Sequence, residues 1–271
     1  MVKKILAKTY VYLIMLLMYL PIIVLIVFSF STATNVGTWE SSTGNPFQLY
    51  IDLFNNKALM TAVGNTVLIA VVSAVVSTIL GTLGAIGAYY SRNRTKKLID
   101  TMTQLPVVNA EIVMALSLAV LFVALGFSFN FGTLLVGHVV LTVAFVYLNV
   151  LPKLTQMDPN TYEAALDLGA KPHYALWKVI FPEILPGIIS GFLISITLSL
   201  DDFVITQYLK QPSFETISTY IQKIVAKHPI PAEVRALTTL IFLAVLAVVI
   251  FLTVYNNRKS KISIKRVGGD K

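Results

Sequence analysis

The sequence predicts an all-α integral membrane protein with six transmembrane helices, and three observations carry that prediction. Of its 271 residues, 56% are hydrophobic and 13% are charged, whereas soluble domains carry about 25% charged residues. The mean hydropathy is +0.78. Six apolar stretches reach the length of about 20 residues that a helix needs to cross a bilayer. No stretch shows the alternation of a membrane β-barrel strand, so each span is predicted to be a helix.

The predicted spans form one transmembrane domain over residues 1–271. In chain order they cover residues 9–30, 62–90, 99–125, 133–151, 184–207 and 236–255. The first is too long for the apolar core of a signal peptide and lacks a small-residue cleavage site, so we expect it to be retained. Two amphipathic segments, 46–55 and 217–225, fall in the outer loops. They are predicted either to lie at the level of the lipid headgroups or to act as lids or docking surfaces.

Two local features modify the spans. Pro106 and Asn109 predict a kink in the third span, because proline cannot donate to the helical hydrogen-bond ladder. Gly81, Gly84 and Gly87 recur on one side of the second span. They predict a face on which another helix packs closely.

The distribution of Lys and Arg predicts which side of the membrane each loop faces. If the N-terminus is cytoplasmic, the inner segments carry 16 of these residues and the outer segments carry five. Cytoplasmic loops are enriched in Lys and Arg, so both termini are predicted to be cytoplasmic. The basic tail from Arg258 onward fits this rule and contact with anionic lipid better than it fits nucleic-acid binding.

Several chemistries are excluded by missing residues. The sequence contains no cysteine, which rules out disulfides, thiolate metal sites and cysteine nucleophiles. It also contains no G-x-x-x-x-G-K-[ST] phosphate loop, so we expect the chain to have no ATPase activity and no cofactor of its own. Energy for any active process must then come from a partner.

The cytoplasmic segment 152–183 is too polar to cross a membrane and has clear helix signals. Asp158 or Asn160 can cap a short helix over Tyr162–Leu168, and Gly169 suits the left-handed residue that ends it. Pro172 suits the first turn of a second helix, His173–Phe181, which Pro182 is predicted to end. The segment is therefore predicted to form a helix–turn–helix on the inner surface.

This segment resembles a loop found in one family of transporters. Glu163-Ala164-Ala165, then Gly169, then Val179 to Pro182 resemble the "EAA…G…I-x-L-P" loop in permease subunits of binding-protein-dependent ABC importers. The resemblance implies the type I ABC importer permease fold, with segment 152–183 as a coupling helix-turn-helix. It also implies three partners, namely a second homologous permease, a dimer of ATP-binding subunits that holds ATP–Mg and docks on this segment, and an extracytoplasmic substrate-binding protein.

Three carboxylates fall well inside the predicted spans, away from their ends, namely Glu111, Asp201 and Asp202. A charged side chain at the centre of a bilayer costs about 2.5–3.5 kcal/mol, so each should face a cavity or a partner. At 1.5 Å per residue, Glu111 and Asp201 lie at a similar depth, about 21–23 Å from the inner surface. No Lys or Arg lies in the spans to balance them, which favours a cationic substrate. His138 is predicted to make an ordinary interhelical hydrogen bond rather than to balance these acids.

A second resemblance concerns these acids. Ser199-Leu200-Asp201-Asp202 and Pro106–Met114 resemble stretches of the PotC-type subunits of spermidine/putrescine permeases, with Glu111 where aspartate is usual. The resemblance implies that Ser199, Asp201, Asp202 and Glu111 contact a polyamine as it passes. Phe203 and Tyr208 are expected to contribute cation–π contacts beside them. The expected function is one half of a heterodimeric permease that imports polyamines.

Three alternatives differ from this expectation. The first is an ABC permease for another small solute, since the fold is shared among such permeases. The second is a cation-coupled secondary transporter that uses the same acids as a relay, but segment 152–183 would then have no role and the usual inverted repeat is missing. The third is an intramembrane enzyme, for which no H-E-x-x-H, Ser/His or Asp-rich motif is present.

Overall fold

The computed structural model describes residues 2–31, 33, 47–158, 160–226, 232–243 and 246–247, with the side chains of residues 2–7 left out. The regular elements of this part of the chain are helical, which confirms the predicted all-α class. The helices are α1 (Val2–Phe28), α2 (Gln48–Asn55), α3 (Lys57–Tyr89), α4 (Asn93–Val108), α5 (Glu111–Ala124), α6 (Phe131–Gln156), α7 (Asn160–Asp167), α8 (Pro172–Ala175), α9 (Phe181–Asp201), α10 (Val204–Leu209) and α11 (Ile217–Val225). A single π-helical turn, Leu176–Ile180, joins α8 to α9.

Several of these helices are long and apolar enough to span a membrane. Within the described residues there are four, Lys8–Phe28, Lys57–Tyr89, Phe131–Gln156 and Pro172–Asp201, and a fifth if α4 and α5 together count as one bent span. The predicted sixth span, 236–255, lies mostly outside the described residues. Its described parts, 236–243 and 246–247, are helical.

The chain divides into two compact units, residues 1–60 with 221–271 and residues 61–220. In the first unit, α2 is joined to the end of α1. Tyr50 and Ser29 share a hydrogen bond of 2.8 Å between their hydroxyl oxygens, and the ring of Phe30 lies 5.8 Å from that of Tyr50. The buried Arg235 guanidinium donates to the carbonyl oxygen of Ala33 in the same unit. The predicted amphipathic segment 46–55 is a helix from Gln48 onward.

In the second unit, close packing of α6 against α9 forms the centre of the core. A Cβ added at Gly187 would lie 2.7 Å from the carbonyl oxygen of Asn149, and one at Gly191 would lie 3.0 Å from Val146 Cα. On the other side of Val146, a Cβ at Gly81 of α3 would lie 2.6 Å from the valine Cβ. Small residues therefore allow three helices to meet at one position.

The predicted glycine face on the second span is only partly correct. Gly81 makes the close approach, but a Cβ at Gly84 would meet only an ordinary contact of 3.8 Å with Tyr147, and one at Gly87 would meet no atom within 4 Å. Other close contacts are made by Gly187 and Gly191 of α9 and by Gly137 of α6, outside the predicted face.

The kink predicted in the third span is a complete break. Helix α4 ends at Val108, Asn109 and Ala110 have extended backbones, and α5 starts at Glu111 with its axis turned by 107°. Pro106, in the last turn of α4, has no N–H for the helical ladder. One continuous helix over 99–125 is therefore replaced by two.

The fifth predicted span also differs from expectation at both ends. Pro182 does not end a helix, because the π turn carries the chain from α8 directly into α9. In that turn the Phe181 N–H donates to the Leu176 carbonyl oxygen, five residues back. The wider turn accommodates a following residue that cannot donate to the ladder. At the other end, α9 stops at Asp201 and α10 starts at Val204.

Candidate functional site

The three predicted acids lie at the two helix breaks. Glu111 is the first residue of α5, Asp201 is the last residue of α9, and Asp202 follows it in the break before α10. Helix α5 packs against α10. Glu111 is consequently close enough to Asp201 and Asp202 for their charges to interact. The structure thus brings together three residues that are far apart in the sequence.

The acids differ in what their side chains face. Glu111 and Asp201 are exposed on the surface of the chain, whereas Asp202 is only 5% exposed. Its Oδ1 accepts the Ile205 N–H at 3.1 Å, and its Oδ2 accepts the N–H and the hydroxyl of Thr206 at 2.8 and 2.7 Å. Asp202 therefore caps the first turn of α10, and its carboxylate is well satisfied by hydrogen bonds.

His138 of α6 lies beside Asp202 and is fully buried. Its Nε2 is 3.0 Å from Thr206 Oγ1 and 3.5 Å from Asp202 Oδ2, and its Nδ1 is 2.7 Å from Ser199 Oγ. The interhelical hydrogen bonding predicted for His138 is confirmed. Its position against one of the acids was missed, because hydropathy and spacing do not reveal which spans are neighbours.

Ser199 is also buried, at 2% exposure, and it links His138 to α3. Ser73 donates to Ser199 Oγ at 3.1 Å. One turn away, Ser77 and Thr142 share a hydrogen bond of 2.6 Å between their hydroxyl oxygens. In the described conformation Ser199 and Asp202 face this buried network, while Asp201 and Glu111 face outward.

The spacing of polar residues within the spans is a sequence signal for this network. Each of three helices carries two polar residues four positions apart, and such residues lie on one helix face. The pairs are Ser73 and Ser77 of α3, His138 and Thr142 of α6, and Ser195 and Ser199 of α9. All six are buried.

The two predicted aromatic residues follow the break. Phe203 is half-buried and is the residue before α10, and Tyr208, near the end of that helix, is 39% exposed. Both therefore retain some ring surface. The described residues contain no group of three or more His, Asp or Glu side chains that could hold a metal ion.

Segment 152–183 contains the predicted left-handed turn. Gly169 has φ +83°. Its N–H donates to the Leu166 carbonyl oxygen, and the Ala170 N–H donates to that of Ala165, which is the Schellman pattern. At the start of the segment, Asp158 Oδ1 accepts the Asn160 N–H at 2.9 Å, in agreement with the predicted capping.

The same segment presents a mixed surface. Glu163, Ala164 and Pro182 are exposed, and Ala165 is half-buried. Leu168 and Trp177 are 89% and 60% exposed, so both leave apolar surface uncovered in a segment too polar to cross a membrane. Tyr162 of α7 packs toward α3. Its ring lies 5.6 Å from that of Tyr90, the residue after the end of α3.

Comparison with known proteins identifies the family. Residues 79–261 match the family described as binding-protein-dependent transport system inner membrane component. That match covers more than half of the chain. The chain belongs to this family.

The chain is similar along most of its length to two transport proteins and to a chain of one solved structure. It is 36% identical over 233 residues to the spermidine/putrescine transport system permease protein PotC of Escherichia coli K12, covering 86% of this chain and 87% of PotC. It is 34% identical over 235 residues to the putrescine transport system permease protein PotI of the same strain, covering 84% of this chain and 82% of PotI. Among solved structures, it resembles a chain of a bacterial ABC transporter involved in the import of the acidic polysaccharide alginate, with a TM-score of 0.71 and 19% identity, covering 94% of this chain and 96% of the other.

Proposed function

We propose that this inner membrane component is a permease subunit of an ABC importer for polyamines such as spermidine and putrescine. The observation that carries the proposal is the convergence of Glu111, Asp201 and Asp202 at two helix breaks. The similarity to PotC and PotI supports the same substrate class. Broken helices at membrane depth are tolerated where they are buried in protein or line a water-filled cavity, which fits a transport path.

In this proposal, Glu111 and Asp201 contact the passing substrate. Both carboxylates are exposed on the chain, and each can accept a charge-assisted hydrogen bond from an ammonium group. The half-exposed rings of Phe203 and Tyr208 can attract the same cation. Such acids lower the barrier to a polycation without holding it permanently, as rings of acids do in cation channels.

Ser199 and Asp202 belong to the proposed path in a different way. Their side chains face the buried network in the described conformation. Direct contact with substrate therefore requires the break at 202–203 to rearrange as the transporter alternates between its inward and outward states. Until then these two residues support the backbone that carries Asp201.

The proposed assembly has six spans in this chain, with both termini cytoplasmic. The distribution of 16 inner and five outer Lys and Arg residues supports this orientation. A second homologous permease would complete the path, and an extracytoplasmic binding protein would deliver the substrate. ATP–Mg would bind to a dimer of ATP-binding subunits, since this sequence has no phosphate loop.

Segment 152–183 is the proposed docking surface for the ATP-binding subunit. The exposed Leu168 and Trp177 offer apolar contact, and the exposed Ala164 lets a partner approach closely. Glu163, Ala165, Gly169 and Pro182 complete the proposed coupling motif. The contact between the rings of Tyr162 and Tyr90 connects this surface to the end of α3.

Uptake of radiolabelled spermidine and putrescine by the complete complex in proteoliposomes tests the proposal. Glu111→Gln and Asp201→Asn should each lower ATP-dependent uptake about ten- to a hundredfold, because each removes a charge-assisted bond of about 1.5–3 kcal/mol. Thr197→Val is the matched control, since Thr197 lies one turn before Asp201, is exposed, and bonds only to its own helix at Leu193. It should leave uptake unchanged. Absence of polyamine uptake by the wild-type complex would contradict the proposal, and uptake without ATP would favour a secondary transporter.

A further inference from the structure

We propose that His138 is a positioning residue that fastens the helix break at residues 202–203 to α6 and so fixes the orientation of Asp201. The proposal concerns the buried network rather than the path itself. Its consequence for transport rests on the proposed function, but the fastening can be tested without any substrate.

The hydrogen bonds of the network run in one direction. The Thr206 hydroxyl donates its proton to Asp202 Oδ2, so its oxygen is left to accept from His138 Nε2–H at 3.0 Å. A neutral imidazole with its proton on Nε2 accepts at Nδ1, and the Ser199 hydroxyl is the donor there at 2.7 Å. Ser73 donates to Ser199 in turn. His138 is thus the link between the serines and the capping carboxylate.

Packing brings α10 onto α6 at the same position. A Cβ added at Gly137 would overlap the side chains of Ile205 and Leu209, so the residue before His138 must be very small. At the far end of α10, Thr133 Oγ1 donates to the Leu209 carbonyl oxygen at 3.2 Å. Helix α10 is therefore attached to α6 along its whole length, and His138 is the attachment nearest the break.

The break depends on this attachment for a physical reason. Asp202 satisfies N–H groups that the first turn of α10 cannot pair internally. A buried carboxylate is tolerated only where hydrogen bonds and charges satisfy it. Removal of the imidazole would take one polar neighbour from each of Ser199, Thr206 and Asp202. All three are buried, so water could not readily replace it. The chain would then rearrange at 202–203, and the adjacent Asp201 would move with it.

Two substitutions test the hydrogen bonds of the two imidazole nitrogens separately. His138→Gln can place an amide N–H near the position of Nε2 and keep the bond to Thr206, whereas His138→Asn reaches only the Ser199 side. Thr142→Val is the matched control, because Thr142 is one turn away on α6 and equally buried. Its hydroxyl bonds to Ser77 and to the backbone carbonyl oxygen of His138, but not to the imidazole or to the break.

The absence of cysteine in the chain provides a direct readout. Ile205, in the first turn of α10 beside the break, is fully buried, so a single Ile205→Cys thiol in the purified complex should react slowly with a water-soluble maleimide. His138→Asn should speed that reaction by about tenfold or more, since the loss of a hydrogen bond to a charged network favours the open form by that factor. His138→Gln and Thr142→Val should leave the rate within about twofold of the Ile205→Cys parent.

The outcomes distinguish this proposal from the proposed function. Unchanged labelling in His138→Asn, or equal acceleration by Thr142→Val, would overturn the positioning role. If His138→Asn does not assemble, Thr206→Val cuts the same link from the α10 side, and unchanged labelling there would overturn it equally. Where the wild-type complex imports polyamines, uptake should fall in His138→Asn and recover in His138→Gln. The expected labelling pattern in a complex that moves no polyamine would uphold the positioning role and reject only the polyamine function.

Discussion

Asp201 and Asp202 are neighbours in the sequence but occupy different environments. Asp201 completes the last turn of α9 and is exposed, whereas Asp202 has left the helix with ψ 128° and its side chain is buried. A change of backbone direction at a helix end is enough to send adjacent side chains to opposite sides. Asp202 therefore has polar partners within the chain, since it caps α10 and lies 3.5 Å from His138.

Substitution of the two aspartates should consequently have different effects. Asp202→Asn replaces a carboxylate that accepts three hydrogen bonds with an amide that has one acceptor oxygen, so about 1–3 kcal/mol of stability should be lost. Asp201→Asn should leave stability unchanged. Thermal unfolding of the purified complex, followed by size-exclusion chromatography, measures the difference. Equal melting temperatures for both variants would show that the Asp202 contacts contribute nothing to stability.

At the scale of single elements, one continuous helical segment connects the proposed docking surface with the proposed substrate path. Pro172–Asp201 contains 30 residues without a break, which corresponds to about 45 Å at 1.5 Å per residue. The proposed docking surface lies at its start and Asp201 is its last residue. A displacement of the docking surface would therefore be carried to the acid along this helix, whose α9 part packs closely on α6 through Gly187 and Gly191.

The sequence predicts some of these elements well and others poorly, for a physical reason. The end of α7 and the turn at Gly169 follow from local signals, because only glycine adopts a positive φ at little cost. Both helix breaks lie within apolar stretches. Pro106 marks the region of the break at 109–110 but not its extent, and the break at 202–203 has no such marker. Hydropathy reports that a segment prefers lipid or a core, but it does not report where the helix axis changes direction. The buried network likewise depends on which helices are neighbours.

The turn at Gly169 gives a test at the element scale. Gly169→Val forces a side chain into the left-handed region and should cost about 1–2 kcal/mol, although no atom lies within 4 Å of the added Cβ. The turn would then reorient α7 relative to α8. ATP-driven uptake should fall several-fold while the amount of permease in the membrane is unchanged. Ala170→Val, at the next residue in the same turn, is the control and should have little effect, and full uptake by Gly169→Val would contradict the coupling role.

At the scale of the whole chain, the orientation prediction assigns most basic residues and the exposed apolar side chains of segment 152–183 to the same side of the membrane. Most Lys and Arg residues fall in segments that the orientation prediction assigns to the cytoplasm, and the exposed Leu168 and Trp177 belong to one of those segments. The docking proposal therefore depends on the orientation. If segment 152–183 were outside the cell, no ATP-binding subunit could reach it.

Single cysteines can establish the orientation, because the chain has none of its own. Arg94 is exposed near the start of α4 and Ser213 is exposed in the segment after α10, so substitution of either should leave the fold intact. In intact cells, a membrane-impermeant maleimide should label Ser213→Cys but not Arg94→Cys, because the excess of 16 over five Lys and Arg residues keeps the basic loops cytoplasmic. Permeabilised cells should allow both to react. Labelling of Arg94→Cys in intact cells would invert the orientation and remove the basis for docking at segment 152–183.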